Sequence, residues 1–465
     1  MIRKIKYVVS RLFWLLMLGF ILLAWYGYQL GDSYQHAART ESNRTSDHVL
    51  RSGSGQAKGA NELSAANASL TKELLERGAY LVKLGNCQGC HTQRGGVAFA
   101  GGRLMQTEFG QFVTPNITPD KATGIGDWSA EDFWNALHNG KAKGGRLLYP
   151  SFPFQNYTHI TRDDADAMFA YLQTLPSVSQ RNPEHRLSFP YDQRFALAWW
   201  RALYFKPGVL TVQSQQSAEW NRGAYLVRGL THCSACHSSR NSLGANNGTN
   251  DFSGGEMFGS RWYAAALLAK EELDLGSRDT QEIVKLLHDG VNQQSSVQGP
   301  MAEVVRESLQ YLHKEDAVAM VKYLQSLPRQ IRAAPDMLDQ VLARPSFDAS
   351  QMEVMMMRGE KIYRQHCMDC HGQQGEGQSG VYPALQGNRS LQMDNFGNPL
   401  RVILAGGFAS ATRSNPRPYS MPPFAPFLDD QELALVLTYI RNAWGNQASV
   451  VFASEVNPYR TANLD

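Results

Sequence analysis

The sequence predicts a mainly α-helical chain of three tandem units behind one N-terminal apolar helix. Three observations carry this. The pentapeptide Cys87-Gln88-Gly89-Cys90-His91 returns as Cys233-Ser234-Ala235-Cys236-His237 and again as Cys367-Met368-Asp369-Cys370-His371. A short helix-patterned stretch precedes each copy and a longer one follows it, so the repeat is larger than the pentapeptide. An uncharged run from Leu12 to Leu30 follows the basic start Met1-Ile2-Arg3-Lys4-Ile5-Lys6.

The N-terminal run is about as long as the roughly 20 residues that span a hydrocarbon core. Trp25, Tyr26 and Tyr28 at its far end resemble an interfacial belt, and the Lys/Arg bias before it places the N-terminus inside. A cleaved secretory leader is the competing reading, but Asp32-Ser33-Tyr34-Gln35-His36 offers no small-x-small site. An uncleaved single-pass anchor is preferred, with the body on the periplasmic side of a bacterial inner membrane. From Gly31 to about Asn67 the chain is rich in Ser, Ala, Asn and Gly without apolar periodicity, and reads as a tether.

The repeat then begins. Arg77-Gly78-Ala79-Tyr80-Leu81, Arg222-Gly223-Ala224-Tyr225-Leu226 and Arg358-Gly359-Glu360-Lys361-Ile362 precede the three pentapeptides. Partner helices that begin acidic follow at Asp164–Leu172, Glu315–Leu324 and Asp430–Ile440, the first two ended by Leu175-Pro176 and Leu327-Pro328. The resulting division is an anchor at 1–30, a tether at 31–68, units at 69–180, 218–330 and 352–447, connectors at 181–217 and 331–351, and a tail at 448–465. Within the first connector Phe195–Leu203 is an apolar helix expected to pack across domains.

The pentapeptide is the attachment pattern of c-type haem. Two thiols add across the haem vinyl groups, and a histidine directly after the second Cys reaches the iron. Cys87, Cys90, Cys233, Cys236, Cys367 and Cys370 are all six cysteines of the chain. Half a zinc site or a redox dithiol would also use C-x-x-C, but neither needs a following histidine three times over. Three covalent haem c groups are therefore expected, with His91, His237 and His371 on their irons.

A sixth ligand must come from the loop after each motif. Met421 in Tyr419-Ser420-Met421-Pro422-Pro423 is assigned to the third iron, since flanking prolines stiffen its loop. Met301 in Gln298-Gly299-Pro300-Met301 is assigned to the second, with Met257 the weaker alternative. Aligning Leu137-His138-Asn139-Gly140 with Leu287-His288-Asp289-Gly290 puts Pro150–Phe154 where that methionine stands, and the first unit has none there. Met105, a histidine such as His159, or an open iron all remain, with Met105 preferred. His138 and His288 are read as packing or hydrogen-bonding residues. Asn116 is open to two readings, a hydrogen bond to a haem propionate or a turn. Gly372–Gly380 lacks the strand and Lys-Ser/Thr of a phosphate loop, and is read as a loop beside the haem.

Phe112-Val113-Thr114-Pro115-Asn116-Ile117-Thr118-Pro119-Asp120, Thr123–Ser129, Leu147–Phe154 and Met421–Asn446 together resemble the tri-haem cytochrome c subunits of membrane-bound bacterial dehydrogenases. The resemblance covers nearly everything after Ser69. It implies three tandem class I cytochrome c domains after one transmembrane helix, in a subunit that relays electrons from a catalytic partner to ubiquinone or a terminal oxidase. The loop Tyr149-Pro150-Ser151-Phe152-Pro153-Phe154 is most similar to that of subunits serving molybdenum hydroxylase-type aldehyde dehydrogenases, whose partner holds a molybdenum cofactor and iron-sulfur clusters. The alternative is a quinoprotein alcohol or flavoprotein sugar dehydrogenase partner. One departure stands out: the usual Trp-Tyr-Ala-Pro-Asn-Leu is Trp262-Tyr263-Ala264-Ala265-Ala266-Leu267, which puts the hydrogen bonds around the second haem in doubt.

The sequence has 45 Lys and Arg against 42 Asp and Glu, a balance that gives nucleic acid no basic field to bind. It also lacks a Rossmann fingerprint and a nucleophile elbow, so the catalytic site is expected on a partner. The competing class is an independent haem enzyme such as a peroxidase, its first iron open beneath Phe152 and Phe154.

Overall fold

The computed structural model describes residues 2–30, 60–249, 251–257, 259–329 and 347–460, with side chains from 14 and from 69 in its first two helices. Most of the expected tether, most of the second connector and the last five residues of the tail lie outside the described residues. The chain is mainly helical and forms two compact units. The first holds Met1–Val212 with Arg228–His232 and Arg240–Thr249; the second holds Gln213–Val227, Cys233–Ser239 and Asn250–Asp465.

In the first unit α1 (Ile2–Gln29) precedes α2 (Ala60–Leu84), α3 (Ala130–Asn139), α4 (Arg162–Leu172) and α5 (Ala196–Tyr204). A small antiparallel sheet joins β1 (Leu104–Thr107), β2 (Gly110–Val113) and β3 (Arg186–Leu187) in the order β1-β2-β3. The second unit contains α6 (Ala218–Tyr225), α7 (Thr280–Asp289), α8 (Gly299–Glu307), α9 (Lys314–Ser326), α10 (Ala349–His366) and α11 (Asp430–Asn442). Its strands are β4 (Gly255–Met257) with β5 (Trp262–Ala264), and β6 (Gly407–Phe408) with β7 (Ser420–Met421).

The predicted helix pairs are present three times, as α2 on α4, α6 on α9 and α10 on α11. One glycine makes each crossing. A Cβ on Gly78, Gly223 or Gly359 would lie 2.0, 2.0 or 2.5 Å from the backbone oxygen of Ala167, Ala319 or Leu435, closer than atoms can approach. In the first two pairs the preceding arginine ties the crossing to the acidic start of the partner, Arg77 to Asp164 and Arg222 to Asp316. Side-chain caps fix where the partners begin: Thr161 accepts from the Asp164 amide, and Asp429 forms a capping box with Glu432.

Two expectations are corrected. Among the described residues no helix is long and apolar enough to cross a membrane, so the spanning anchor is not found. Its latter half instead packs on α5, the helix expected to bridge domains. Gly27 lies against the Ala198 carbonyl, Phe20 stacks on Trp199 with ring centroids 4.1 Å apart, and the Trp199 Nε1–H donates to the Phe20 carbonyl. Arg201, the one charged residue of α5, is fully buried and donates to the carbonyls of Gly27, Leu30 and Asn139. An arginine fork fits there because the last carbonyls of a helix have no intrahelical partner.

The other difference concerns Arg228–His232 and Arg240–Thr249, which belong to the first unit although the sequence division places them in the second. Hydrogen bonds hold them there: Asn156 Nδ2 to the Arg228 carbonyl, Trp200 Nε1 to the Leu243 carbonyl, and His159 Nε2 with Thr249 Oγ1.

Candidate haem sites

Each motif opens as a single helical turn, so the second cysteine and the histidine follow the first within one turn. The histidine rings share one more feature. His91 Nδ1 lies 2.8 Å from the Pro115 carbonyl, His237 Nδ1 2.7 Å from that of Ala265, and His371 Nδ1 3.0 Å from that of Pro383. A carbonyl only accepts, so Nδ1 carries the proton and Nε2 keeps its lone pair for a metal. Burial lowers the pKa of all three imidazoles, the hydrogen bond opposing it in part, and the neutral form that iron needs is favoured. The packing that covers Cys87 pushes its thiol up to about 12, with Cys90 adding to the effect, and burial does the same to Cys367. A thiol held protonated is a poor zinc ligand, since zinc binds thiolate. The residues fit covalent haem.

The Ala265 carbonyl answers the part of the doubt about the second motif that concerned the missing proline. Replacing the usual proline leaves the acceptor intact because the acceptor is main chain. Glu272, itself buried, holds this stretch: its carboxylate accepts from the Tyr263 hydroxyl at 2.8 Å and from the Ala266 amide at 2.6 Å.

The third site is the most complete. A cleft with about 930 Å³ free of protein atoms, counted out to its open mouth, is lined by Cys367, Cys370, His371 and Met421 together. Met421 is presented by the β6–β7 pair, opposite Gly407. Gly380–Pro383 also line the cleft, so of the loop Gly372–Gly380 expected beside the haem only its last residue does.

The other candidates are placed as follows. Met301 sits in the first turn of α8, directly after Pro300, and is partly buried. Gly299 before it packs on Trp262, three residues from the Ala265 acceptor. Met105 lies on β1 opposite Phe112, packed against a cluster of Phe112, Leu147, Tyr149 and Leu197. Met257 is likewise opposite Trp262 on β4–β5, so Met105 has the hairpin place of Met257 and not the place of Met421. His159 has both ring nitrogens engaged, Nδ1 with the Gly208 carbonyl and Nε2 with Thr249, which leaves neither for iron.

His138 is buried and stacked on Trp134 at 4.4 Å, while His288 is half-exposed with Nδ1 3.0 Å from Asp289 Oδ1; both are packing or hydrogen-bonding residues. Asn116 takes the turn reading. Its Oδ1 accepts from the Thr118 amide and hydroxyl, and its Nδ2 donates to Thr123 Oγ1 and the Val178 carbonyl. Phe154 is fully buried against Trp200 and Phe205, so it is core and does not line a pocket. Sequence reading missed Tyr157. It is buried beside Cys87 and Cys90 with its hydroxyl donating to the Gly85 carbonyl at 2.8 Å.

Comparison with known proteins agrees with this geometry. The cytochrome c family model matches residues 75–176 and 356–444, the first and third motifs with their helix pairs. The gluconate 2-dehydrogenase cytochrome c subunit of Pantoea cypripedii is 34% identical over 83% of this chain and 89% of its own length. The chain belongs to the cytochrome c subunits of dehydrogenases. A cytochrome c subunit of quinone alcohol dehydrogenase from Gluconobacter oxydans is 33% identical over 85% of the chain and 84% of its own length. A nicotinate dehydrogenase subunit from Pseudomonas putida is 37% identical over 84% of the chain, which spans only 32% of that longer protein.

Proposed function

We propose that this cytochrome c subunit carries three covalent haem c groups and relays electrons from a catalytic dehydrogenase subunit towards ubiquinone or a terminal oxidase. The observation that carries the reading is the meeting of His371 and Met421 on one cleft with Cys367 and Cys370. A bound haem c supplies one-electron chemistry at its iron. The chain's own residues hold it and set its potential, the thioether raising it relative to a second nitrogen ligand. His91 and His237 repeat the arrangement of His371, which supports a haem at each. Met301 is proposed for the second iron and Met105 for the first.

The catalytic partner is proposed to be an aldehyde-oxidising molybdenum enzyme with iron-sulfur clusters, on the strength of Tyr149–Phe154. The named relatives, which include gluconate and alcohol dehydrogenase subunits, support a flavoprotein or quinoprotein partner equally. Attachment to the periplasmic face of an inner membrane is supported by α1, whose Trp14, Leu15, Leu16, Ile21, Leu22 and Trp25 are exposed. Apolar side chains in such number on one helix suit a lipid surface.

Purification of the tagged protein from detergent-solubilised membranes tests the reading. A co-purifying molybdenum protein selects the aldehyde branch, and a quinoprotein or flavoprotein selects the other. Absence of any dehydrogenase, with fast carbon monoxide binding to one reduced haem, would overturn the relay in favour of an independent enzyme.

A further inference from the structure

The cleft of the third site is not built by its own repeat alone. Val291, Asn292, Gln293, Ser295, Ser296 and Gln298, from the segment between α7 and α8, line it as well. These residues belong to the second repeat and lie in the same compact unit as the cleft. The segment is firmly placed. Asn292 Oδ1 accepts from the Gln294 and Ser295 amides, and the Ser410 hydroxyl donates to the Ala302 carbonyl just beyond the segment.

Gln298 is the informative member. Its Nε2 donates to Ser296 Oγ at 2.9 Å, and among the described residues its buried Oε1 has no hydrogen-bond partner. That oxygen rests over Gly407, where a Cβ would come within 2.8 Å of it, and Gly407 is the cross-strand partner of Met421. A buried amide oxygen without a donor is unfavourable. A half-turn of the amide removes the problem: Oε1 then accepts from the Ser296 hydroxyl, and the NH₂ group is free for an acceptor. A haem offers such an acceptor at its edge only through its two propionate carboxylates. Among the described residues no Lys or Arg lines the cleft, so a neutral donor such as this amide suits that charge.

We propose that Gln298, contributed by the second repeat, donates a hydrogen bond to a propionate of the third haem and so is a positioning residue that sets its potential. The proposal rests on the haem reading of Cys367–His371. It also makes the second repeat a structural part of the third site, three residues before Met301.

The test is potentiometric titration of the full-length holoprotein and its variants. The third transition is identified as the one missing from the Cys367→Ser/Cys370→Ser double variant. An added negative charge stabilises the ferric state and an added positive charge the ferrous state. Gln298→Glu therefore lowers that transition and Gln298→Lys raises it, each by roughly a tenfold change in the reduction equilibrium, ~59 mV for one electron. A merely structural role would move both variants in the same direction. Gln298→Leu, which keeps the bulk, shifts the propionate bending mode of one haem in resonance Raman. If no transition is lost from the double variant, the haem reading itself fails. If one is lost but Glu and Lys shift it alike, or not at all, or shift a different haem, the assignment of Gln298 is overturned.

Discussion

His138 gives the first unit an acid sensitivity that can be isolated by one substitution. Its ring is 1% exposed and stacked on Trp134, and burial lowers its pKa to about 4, only partly opposed by a hydrogen bond with the Thr158 backbone. In the unfolded chain it titrates near 6.5. The folded value is the lower, so between the two the unfolded state binds more protons and stability falls as the pH falls. The contribution is fully present above pH 6.5 and is lost progressively down to about pH 4, where the folded state also takes up the proton. Linkage puts the loss at pH 5 at about 2 kcal/mol and the total at about 3 kcal/mol. For a unit of this size 2 kcal/mol corresponds to about 4–8 °C in melting temperature. His138→Phe keeps an aromatic ring on Trp134 and removes the proton site. Urea unfolding of wild type and variant, followed by far-UV circular dichroism at pH 7.5 and pH 5, measures the difference. The wild type should lose about 2 kcal/mol more than the variant over that interval. Because other buried histidines contribute to both proteins, equal losses would mean that His138 is not held neutral by its burial, and the reasoning would be refuted.

Three other outcomes are expected. Gly359→Ala forces α10 away from the Leu435 carbonyl and should destabilise the α10–α11 pair by about 1–3 kcal/mol, read as a lower thermal midpoint. Glu272→Ala frees the Tyr263 hydroxyl and the Ala266 amide; it should cost about 2 kcal/mol and, by loosening the Ala265 carbonyl, broaden the low-temperature electron paramagnetic resonance signal of the second haem alone. Met421→Ala should abolish one His/Met near-infrared charge-transfer band and lower one midpoint potential, with all three haems still covalently attached. Retention of that band would remove Met421 from the iron.

The sequence was most informative where one residue type is forced by chemistry. Cys-x-x-Cys-His and the Arg-Gly before it show directly as text, because thioether bonds need thiols and a helix crossing with no room needs glycine. The acidic starts of α4, α9 and α11, the first and last of them also capped by a side chain, were legible for a similar reason: orphan amides at a helix start favour acceptors and negative charge. What could not be read depends on pairing across distance. Arg201 looks like a misplaced charge in an apolar helix until the carbonyls of Gly27, Leu30 and Asn139 are seen around it. The same holds for α1, whose apolar run suggests a span while the docking of Gly27 on Ala198 is invisible. Tyr157 carried no local signal, since its partner is a carbonyl 72 positions away. Asn116 has a local pattern compatible with two roles, and only its neighbours separate them.

The carbonyls that fix the three imidazoles also say how much of the chain would have to move if one site were transplanted. Pro115, Ala265 and Pro383 stand 24, 28 and 12 residues beyond their histidines. A graft that ends at the histidine would carry the covalent anchor but leave the ring free to turn and to protonate on either nitrogen. The smallest portable cassette therefore runs to the carbonyl, and the third motif, with the shortest return, is the one best suited to being moved.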